Sequence, residues 1–374
     1  MIEVKEVVGK RMQKEFVDFP LKLYKGNQYF VPPLYVDEAN IFSPKKNVYF
    51  DDCDIVYYNA YKDGKIAGRI GGVVQKAYNA KIGEKRVRFT RFDCIKDIEV
   101  AKALFDKVED WARQKGMEKV HGPLGFSDLE REGLLIEGFD ELSTFEEQYN
   151  FDYYAELIEG CGYSKEVDWV EYEIVVPNKP LEKLSRISQR VLEKYNLSVL
   201  EGASKKEILD NYADKVLDVL DEAYRDLYGT VPFTERMRES LLDQFKLILH
   251  KDLIVIVKDE NDNVVAFGLC LPSLSTALQK SSGHLTPICL VKLLKAVKSP
   301  KMMDLGLIAV KKDYQNRGIN GIVMNIMIER AGKLGITHAE TNLNLEDNEK
   351  VQSQWKFFEH RQHKRRRAYL KYIN

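Results

Sequence analysis

The sequence predicts an α/β protein with two similar domains in tandem, each a mixed central sheet flanked by helices. One observation is the order of elements. In both halves, two β-rich segments around a polar turn precede a strand, an amphipathic helix and a further strand. The other is an internal repeat, because an offset of 219 positions places Leu104 on Val323 and Gly116 on Gly335. A length of 374 residues fits about two to three domains.

Composition argues against several classes of protein. With 44% hydrophobic and 31% charged residues the chain is expected to fold, and a net charge of −1 predicts no general attraction to nucleic acid. No stretch approaches the ~18 apolar residues of a membrane-spanning helix, and the first residues lack the apolar core of a signal peptide. The five cysteines are scattered and never spaced as CxxC, so we expect neither a disulfide framework nor a bound metal. We therefore predict a cytoplasmic protein, either a monomer or a homodimer.

The first half begins its regular pattern at residues 54–74, DIVYYNAYKDGKIAGRIGGVV, where a Lys-Asp-Gly turn joins two apolar runs into a hairpin. A third strand is predicted at RVRFTRFDCI. Apolar residues then recur at helical spacing from Ala101 to Ala112, and Gly116 ends that helix. The segment MEKVHGP is predicted to return as a strand.

The second half repeats this order with different residues. The segment LIVIVKDENDNVVAFGLCL predicts a hairpin, MMDLGLIAV a strand, residues 319–334 a helix that ends at Gly335, and THAETNLNL a further strand. Two prolines in VPNKPLEKLS mark the boundary, which predicts domains at 1–177 and 178–374. The segment 273–300 interrupts the second domain, as either a helix packed on the core or a lid over a substrate cleft.

The most informative motif is DYQNRGINGIVM, from Asp313 to Met324, which lies between a predicted strand and a predicted helix. Several backbone N–H groups should converge at this helix start, where glycine allows a close approach and Arg317 adds a cation. The sequence contains neither GxxxxGK[ST] nor GxGxxG, so Walker-type and dinucleotide sites are disfavoured. The motif therefore predicts a phosphate site, with a plain helix start as the alternative.

The arrangement of strand, YQNRGING, amphipathic helix and strand resembles motif A of the GNAT superfamily of acyl-CoA-dependent acyltransferases. Gln315, Gly318 and Asn320 occupy the positions of its Gln/Arg-x-x-Gly-x-Gly/Ala pattern, and Gly321 follows one place late. The resemblance implies an acetyl-CoA or other acyl-CoA co-substrate. It implies that the pyrophosphate is held by Gln315, Asn316, Arg317, Gly318, Ile319, Asn320 and Gly321. It implies that the pantetheine arm pairs with the strand Leu307, Ile308, Ala309 and Val310.

The resemblance extends to the tandem arrangement. Under the 219 offset, Gly318 corresponds to Glu99, which would put a carboxylate where the pyrophosphate sits, so the first domain is expected not to bind coenzyme A there. One degenerate and one competent domain resembles the two GNAT-like domains of N-myristoyltransferases, mycothiol synthases and the peptidoglycan Fem transferases. The acceptor amine, a small molecule or a peptide, is then expected between the domains.

Acyl transfer to an amine needs a group that accepts the amine proton, and a nearby acid helps the thiolate to leave. By resemblance the base is Asp304, which lies eleven residues before Gln315; a solvated carboxylate at a strand end is the alternative. The family often has a tyrosine acid where Trp355 stands here. That leaves unaided departure of the thiolate, a tyrosine from elsewhere in the chain, or no catalysis.

Two further groups of polar residues are candidates for binding. Along ETNLNL, strand alternation predicts that Asn342 and Asn344 share a face with Glu340, and together with Asn348 they are candidates to orient the acceptor; an exposed strand face is the alternative. The basic cluster HRQHKRRR at 360–367 predicts a solvated strand, with a grip on the 3′-phosphate of coenzyme A or on an RNA-linked substrate as alternatives.

The resulting functional hypothesis is an acyl-CoA-dependent N-acyltransferase. Two alternatives stay open: a non-catalytic protein that binds acyl-CoA or another lipid ligand, and an aminoacyl-tRNA-dependent transferase like the Fem group.

Overall fold

The computed structural model describes residues 1–179 and 181–373, so Pro180 of the predicted linker and Asn374 lie outside the described residues. The strands are β1 Ile2–Glu6, β2 Cys53–Lys62, β3 Lys65–Gln75, β4 Arg86–Cys94, β5 Lys119–Gly122, β6 Leu134–Glu137, β7 Ser164–Val175, β8 Ser198–Val199, β9 Ile254–Lys258, β10 Val264–Pro272, β11 Met302–Val310, β12 His338–Thr341, β13 Asn344–Leu345 and β14 His360–Tyr372. The helices are α1 Gly9–Leu23, α2 Tyr35–Asn40, α3 Lys76–Ile82, α4 Ile98–Gln114, α5 Tyr154–Gly160, α6 Glu182–Lys194, α7 Lys205–Asn211, α8 Ala213–Tyr224, α9 Glu235–Ile248, α10 Ser275–Gln279, α11 Pro287–Lys298, α12 Ile319–Leu334 and α13 Glu349–Trp355. In the part of the chain described, none of these helices has the length and apolarity needed to cross a bilayer.

The strands form one continuous sheet in which the two halves lie side by side. The order along the sheet is β1-β2-β3-β4-β5-β14-β7-β12-β11-β10-β9-β8. The β4–β5 and β11–β12 pairs are parallel, and each is connected by a long helix, α4 or α12. The strands that follow these helices, β5 and β12, begin at Lys119 and His338, 219 positions apart. The predicted repeat and the predicted tandem α/β fold are confirmed.

The two halves exchange their last strands. The strand β7, from the first half, lies against β12 of the second half, and β14, from the second half, lies against β5 of the first. The exchanged strands also pair with each other, from His360 opposite Ile174 to Leu370 opposite Ser164. The predicted division at residue 177 falls between β7 and α6 and stays a prediction. Because of the exchange, neither the segment before residue 177 nor the segment after it contains a complete sheet of its own.

Each long helix buries an apolar stripe against its own half of the sheet. Leu104 and Val108 of α4 lie in the first core, and Ile322 and Val323 of α12 lie in the second. On the opposite face of the second half, α8 packs against β10 and β11, mainly through Leu220 and its neighbours. The burial of one side of each long helix accounts for the spacing of apolar residues at about 3.6 positions along α4 and α12.

The segment 273–300 forms α10 and α11. The inner side of α11 packs through Cys289 and Leu293 against Val31, Leu274 and Leu278. The interpretation as a helix packed on the protein is therefore confirmed for this inner side.

The basic cluster at 360–367 is not a solvated strand, so that prediction was wrong. The strand β14 lies inside the sheet, where the side chains of Lys364 and Arg366 are only 1% and 0% exposed. Arg366 Nε donates to Glu171 Oε1 at 2.6 Å, and Lys364 Nζ donates to Glu340 Oε2 at 2.9 Å. The other cations of the cluster, Arg361, Arg365 and Arg367, also contact carboxylates. The reason is the strand exchange, which pairs β14 along its edges with strands of the first half and places Lys364 and Arg366 next to carboxylates of β7 and β12, whereas residues 360–362 at the start of the strand stay exposed.

The Arg366–Glu171 pair gives a stability prediction. Arg366→Met removes the only cation that is hydrogen-bonded to the buried Glu171 carboxylate among the described residues and leaves Lys364 Nζ 3.9 Å away, so the free energy of unfolding should fall by about 3–5 kcal/mol in urea titrations. The double variant Arg366→Met with Glu171→Met removes both charges and should recover most of that loss.

The control for this prediction is Arg361→Met, because Arg361 lies on the same strand but is half exposed, and exposed pairs contribute about 0–1 kcal/mol. Equal destabilisation by Arg361→Met and Arg366→Met would contradict the buried-charge argument.

Candidate active site

The site begins where β11 and β12 separate. Their parallel pairing runs only from Met302 opposite His338 to Leu305 opposite Thr341, followed by a last bond from Asn342 N to Leu305 O at 3.1 Å. On its other edge β11 pairs with β10, and the register shifts so that Gly306 is the extra residue of a bulge. From Leu307 to Val310, the edge of β11 that faces away from β10 therefore has no strand partner among the described residues. Two carbonyls of this segment, Ile308 O and Val310 O, accept side-chain hydrogen bonds from Tyr224 and Gln315, and the other backbone groups of the edge are available to a ligand.

A largely apolar cavity of about 270 Å³ occupies this gap. Several elements contribute to its walls, among them β10 and α8. Its lining residues include Leu305, Leu307 and Ile308 of β11; Val323, Met324 and Met327 of α12; Trp355 of α13 with Phe358; Ile174 of β7; and Asn342, Leu343, Asn344 and Asn348. A concave, mostly apolar space with a few polar groups is typical of a small-molecule site.

At one end of the gap, the loop from Gln315 to Gly318 carries free amides. Among the residues that the structure describes, no backbone or side-chain acceptor bonds the amides of Asn316, Arg317 and Gly318. The amides of Ile319 and Asn320 open α12, whose first turn has no internal partners. Gln315 Nε2 donates to Val310 O at 3.1 Å and ties the loop to β11. Converging amides at a helix start bind anions.

The loop conformation requires glycine at one position. Gly318 has φ +80° at the N-cap of α12, a left-handed conformation that side chains with a Cβ rarely adopt. The Arg317 guanidinium lies over the rings of Tyr195 and Tyr314, 5.1 and 5.2 Å from their centroids. Gly321, the displaced glycine of the motif, faces Leu184 and Ile187 of α6 instead of the loop.

The first half treats the equivalent helix start differently. The N-cap of α4 is Asp97, whose Oδ1 accepts the Glu99 amide at 3.0 Å and which also contacts Lys62. Because α4 begins at Ile98 and α12 at Ile319, 221 positions apart, the structural counterpart of Gly318 is Asp97 and not Glu99. A carboxylate of the chain itself thus lies at the first helix start.

Asp304 is buried, with 3% of its surface exposed, so the alternative of a solvated carboxylate is wrong. Its neighbours Met303 and Leu305 line the cavity, and Asp304 itself points to the opposite face of the sheet. Neither carboxylate oxygen has a hydrogen-bond partner in the described part of the chain. Burial raises the pKa of Asp304 well above its usual range, the nearby Glu146 and Glu340 carboxylates raise it further, and Lys364 and the Ser273 side chain partly oppose this rise.

Other carboxylates surround Asp304 on this face. Glu340, its partner across the β11–β12 pair, is held by Lys364, and burial raises the pKa of Glu340 as well. Glu146 comes from the loop before α5, and burial raises its pKa to about 7. The face thus collects three carboxylates from both halves, of which Glu340 contacts the buried Lys364.

The asparagines do not share a face with Glu340, so that prediction was wrong. Glu340 lies opposite Glu173 of β7, and Asn344 lies opposite Val170. The step from Glu340 to Asn344 is four residues, whereas the matching step along β7 is three residues. The extra residue between β12 and β13 turns Asn344 toward the cavity. Asn342 Nδ2 donates to Gly306 O at 3.4 Å, and Asn348 Oδ1 accepts the Val351 amide at the start of α13.

Two aromatic side chains complete the cavity. Trp355 Nε1 donates to Asn344 Oδ1 at 3.2 Å, so this side chain holds the wall of the site. Tyr224, the last residue of α8, lines the cavity from the other side, and its hydroxyl donates to Ile308 O at 3.2 Å. Burial raises the pKa of Tyr224 to about 12. Nothing local in the sequence distinguishes Tyr224 from other tyrosines, because only the packing of α8 on β11 brings it to the site.

No protein-family model matches the chain. It is 28% identical to Protein YghO of Escherichia coli K12 over 332 residues, which cover 87% of this chain and 83% of that protein. It is 26% identical to the protein named bacterial ceramide synthase of Caulobacter vibrioides over 348 residues, 90% of this chain and 88% of that protein.

Among solved structures, a tandem GNAT protein from the clavulanic acid biosynthesis pathway superimposes with a TM-score of 0.59 and 10% identity, covering 100% of this chain and 99% of that one. The GCN5-related glucosamine N-acetyltransferase region of a fungal β-N-acetylglucosaminidase gives a TM-score of 0.55 and 11% identity, covering 99% of this chain and 38% of that one. At these identities the likeness is one of fold, and the chain has the tandem GNAT fold.

Proposed function

We propose that the protein is an acyl-CoA-dependent N-acyltransferase whose second half binds the acyl-CoA and whose amine acceptor lies between the halves. The observation that carries this proposal is the gap beside the Gly306 bulge, which joins free amides at the start of α12 to an apolar cavity. The fold supports acyl transfer in general.

The groups present fit a coenzyme A thioester. The pyrophosphate would accept from the amides of Asn316–Asn320, with Arg317 as a nearby cation. The pantetheine amides would pair with the free edge of β11 from Leu307 to Val310. The acyl group would then enter the cavity, whose volume of about 270 Å³ exceeds what acetyl needs. A dry cavity of about 150 Å³ already holds benzene, so a longer acyl chain is favoured.

The acceptor is proposed to be a lipid amine. One relative is named a bacterial ceramide synthase, and a ceramide is the fatty amide of a long-chain amino alcohol. The face of the sheet around Asp304 supports a cationic amine, because Asp304, Glu340 and Glu146 bring three carboxylates together beside Lys364. In their ionised forms these carboxylates would favour the approach of a protonated amine, which must then lose a proton before it can react.

In the reaction, the neutral amine nitrogen bonds to the thioester carbonyl carbon, and the carbon–sulfur bond breaks. Asp304 would accept the amine proton, and its raised pKa makes it a stronger base than an exposed aspartate once it is ionised. Tyr224 would donate a proton to the leaving thiolate from the α8 side of the cavity, which corresponds to a tyrosine from elsewhere in the chain. The gap between β11 and β12 would connect the two faces.

A non-catalytic acyl-CoA-binding protein is the second candidate. Trp355 favours it, because an indole hydrogen-bonded to Asn344 stands where the family often has its acid. The RNA-dependent alternative loses its support, since the basic side chains of β14 already contact carboxylates within the protein.

Coenzyme A binding is tested by Gly318→Glu. The new side chain strains the left-handed N-cap and puts a carboxylate among the free amides, so calorimetry should show that the affinity for coenzyme A falls by at least ~100-fold from a micromolar-class value. The matched control is Gly335→Glu, since Gly335 also has positive φ, +72°, but lies at the far end of α12.

The same titrations with acetyl-, octanoyl- and palmitoyl-CoA should give affinities that rise with chain length, at up to about 0.8 kcal/mol per buried CH₂, until the cavity is full. Unchanged binding by Gly318→Glu would rule out this loop as the phosphate site.

The base is tested by Asp304→Asn. Turnover should fall by about 10²–10⁴-fold while the coenzyme A affinity stays within about twofold, because the side chain points away from the cavity. Since Asp304 acts only when ionised and its pKa is raised, the wild-type rate should climb with pH well above pH 4, and the variant should lose that limb. An exposed counterpart, Asp243→Asn, serves as the control. Equal pH profiles for wild type and Asp304→Asn would remove Asp304 as the base.

The acid is tested by Tyr224→Phe, which removes one hydroxyl and leaves the ring in place. We expect kcat to fall by about 10²-fold or more with thioesters of coenzyme A, and the loss should shrink with thioesters of a more acidic thiol, whose departure needs no proton. Tyr172→Phe is the control, because that hydroxyl bonds Gln352. The same loss with both kinds of thioester would mean that Tyr224 has a structural role alone.

A further inference from the structure

The segment around α11 has an unusual charge composition. Between Asp262 and Asp304 the sequence has no acidic residue, although the chain contains 58 of them. The same segment contains five lysines: Lys280, Lys292, Lys295, Lys298 and Lys301. In a chain with a net charge of −1, this is a local excess of positive charge.

These lysines have no counter-charges. All five are exposed, and none of their side-chain amines has an ion-pair, hydrogen-bond or aromatic partner among residues 1–179 and 181–373. The buried cations of β14 are paired with carboxylates, so the absence of partners is a property of this segment and not of the whole chain. Unpaired lysines are free to contact an external anionic surface.

The same helix exposes large apolar side chains. Ile288 and Val291 are 70% and 67% exposed, and Leu285, Leu290 and Leu294 are also exposed. The inner side of α11 is already buried, because Cys289 and Leu293 pack against the protein. Helical geometry therefore places Ile288, Val291 and Leu294 on the outer side together with Lys292, Lys295 and Lys298. Clustered exposed apolar residues on a folded protein indicate an interaction surface.

The segment that contains α11 is connected to the sheet close to Asp304. The segment leaves the sheet at the end of β10 and returns at β11, where Ser273 N donates to Met302 O at 3.1 Å, next to Asp304. Its core also includes Leu142 and Phe145, and Phe145 directly precedes Glu146. The exposed helix thus lies on the part of the protein that carries the Asp304 face.

We propose that the outer side of α11 docks on an anionic bilayer surface. Ile288, Val291 and Leu294 would insert among the lipid acyl chains near the headgroups, and the lysines would contact the lipid phosphates. A protein partner would be expected to bring matching carboxylates and a shaped groove, whereas a helix that combines short apolar residues with unpaired lysines matches a lipid interface. This inference does not depend on the acyl-transfer proposal, but a bilayer at this place would present lipids beside the Asp304 face.

The test is co-sedimentation of the full chain with phosphatidylcholine vesicles and with vesicles that also contain phosphatidylglycerol. We expect binding to the anionic vesicles that is at least ~10-fold stronger than to the neutral ones and that weakens as salt is added. The triple variant Ile288→Ser, Val291→Ser, Leu294→Ser and the triple variant Lys292→Ser, Lys295→Ser, Lys298→Ser should each reduce binding by ~10-fold or more. Val8→Ser, at a residue exposed to the same 70% on the other half, is the control.

Thermal unfolding of each variant checks that the fold is intact, because the changed residues are exposed. Equal binding to both kinds of vesicle, no binding, or unchanged binding by the two triple variants would overturn the proposal. Sedimentation analysis adds one more outcome that would overturn it: a dimer that the apolar triple variant dissociates, which would assign this side of α11 to a second copy of the chain.

Discussion

The structure depends on the pairing of buried charges between strands that the two halves exchange. The strand β14 brings Lys364 and Arg366 into the middle of the sheet, and Glu171 of β7 and Glu340 of β12 meet them there. A buried cation without a partner would cost several kcal/mol, so the strands are stable only in the register that makes these contacts. A slip of one residue would turn every side chain of β14 to the opposite face. The charges thus fix the register of both halves at once.

The pairing of buried charges also affects the candidate site, because Glu340 takes part in both. The same carboxylate is held by Lys364 and lies opposite Asp304 on β11, so the network decides what surrounds Asp304. Lys364 is within contact distance of Glu340 and Glu171, and Asp304 has no ion pair in the described residues. A buried carboxylate without a partner is costly, and proteins keep such groups mainly where function uses them. The contrast between the paired Glu340 and the unpaired Asp304 favours a chemical role for the latter.

The sequence was informative wherever a pattern is local. The hairpins, the two long helices and the offset between Gly116 and Gly335 follow from periodicity and helix stops, and the structure contains them. Contacts between segments that are distant in the sequence could not be predicted from these local patterns. The exchange of β7 and β14 depends on pairing across about 200 residues, and without it HKRRR has the composition of a solvated strand. The extra residue between β12 and β13 turns the Asn344 side chain to the face opposite the one that strand alternation predicts. The contact between Tyr224 and Ile308 depends on how α8 packs on the sheet.

The two helix starts show how one fold supports two different roles. At α4, Asp97 accepts an amide of the first turn and contacts Lys62, so the positive end of that helix is neutralised from within the chain. At α12, Gly318 has no side chain that could accept an amide hydrogen bond, and no acceptor among the described residues bonds the amides of Asn316, Arg317 and Gly318. Each unsatisfied amide is more stable with an anion than without one. The choice of one N-cap residue therefore decides whether the amides of such a helix start are bonded from within the chain, as at Asp97, or have no acceptor among the described residues, as at Gly318.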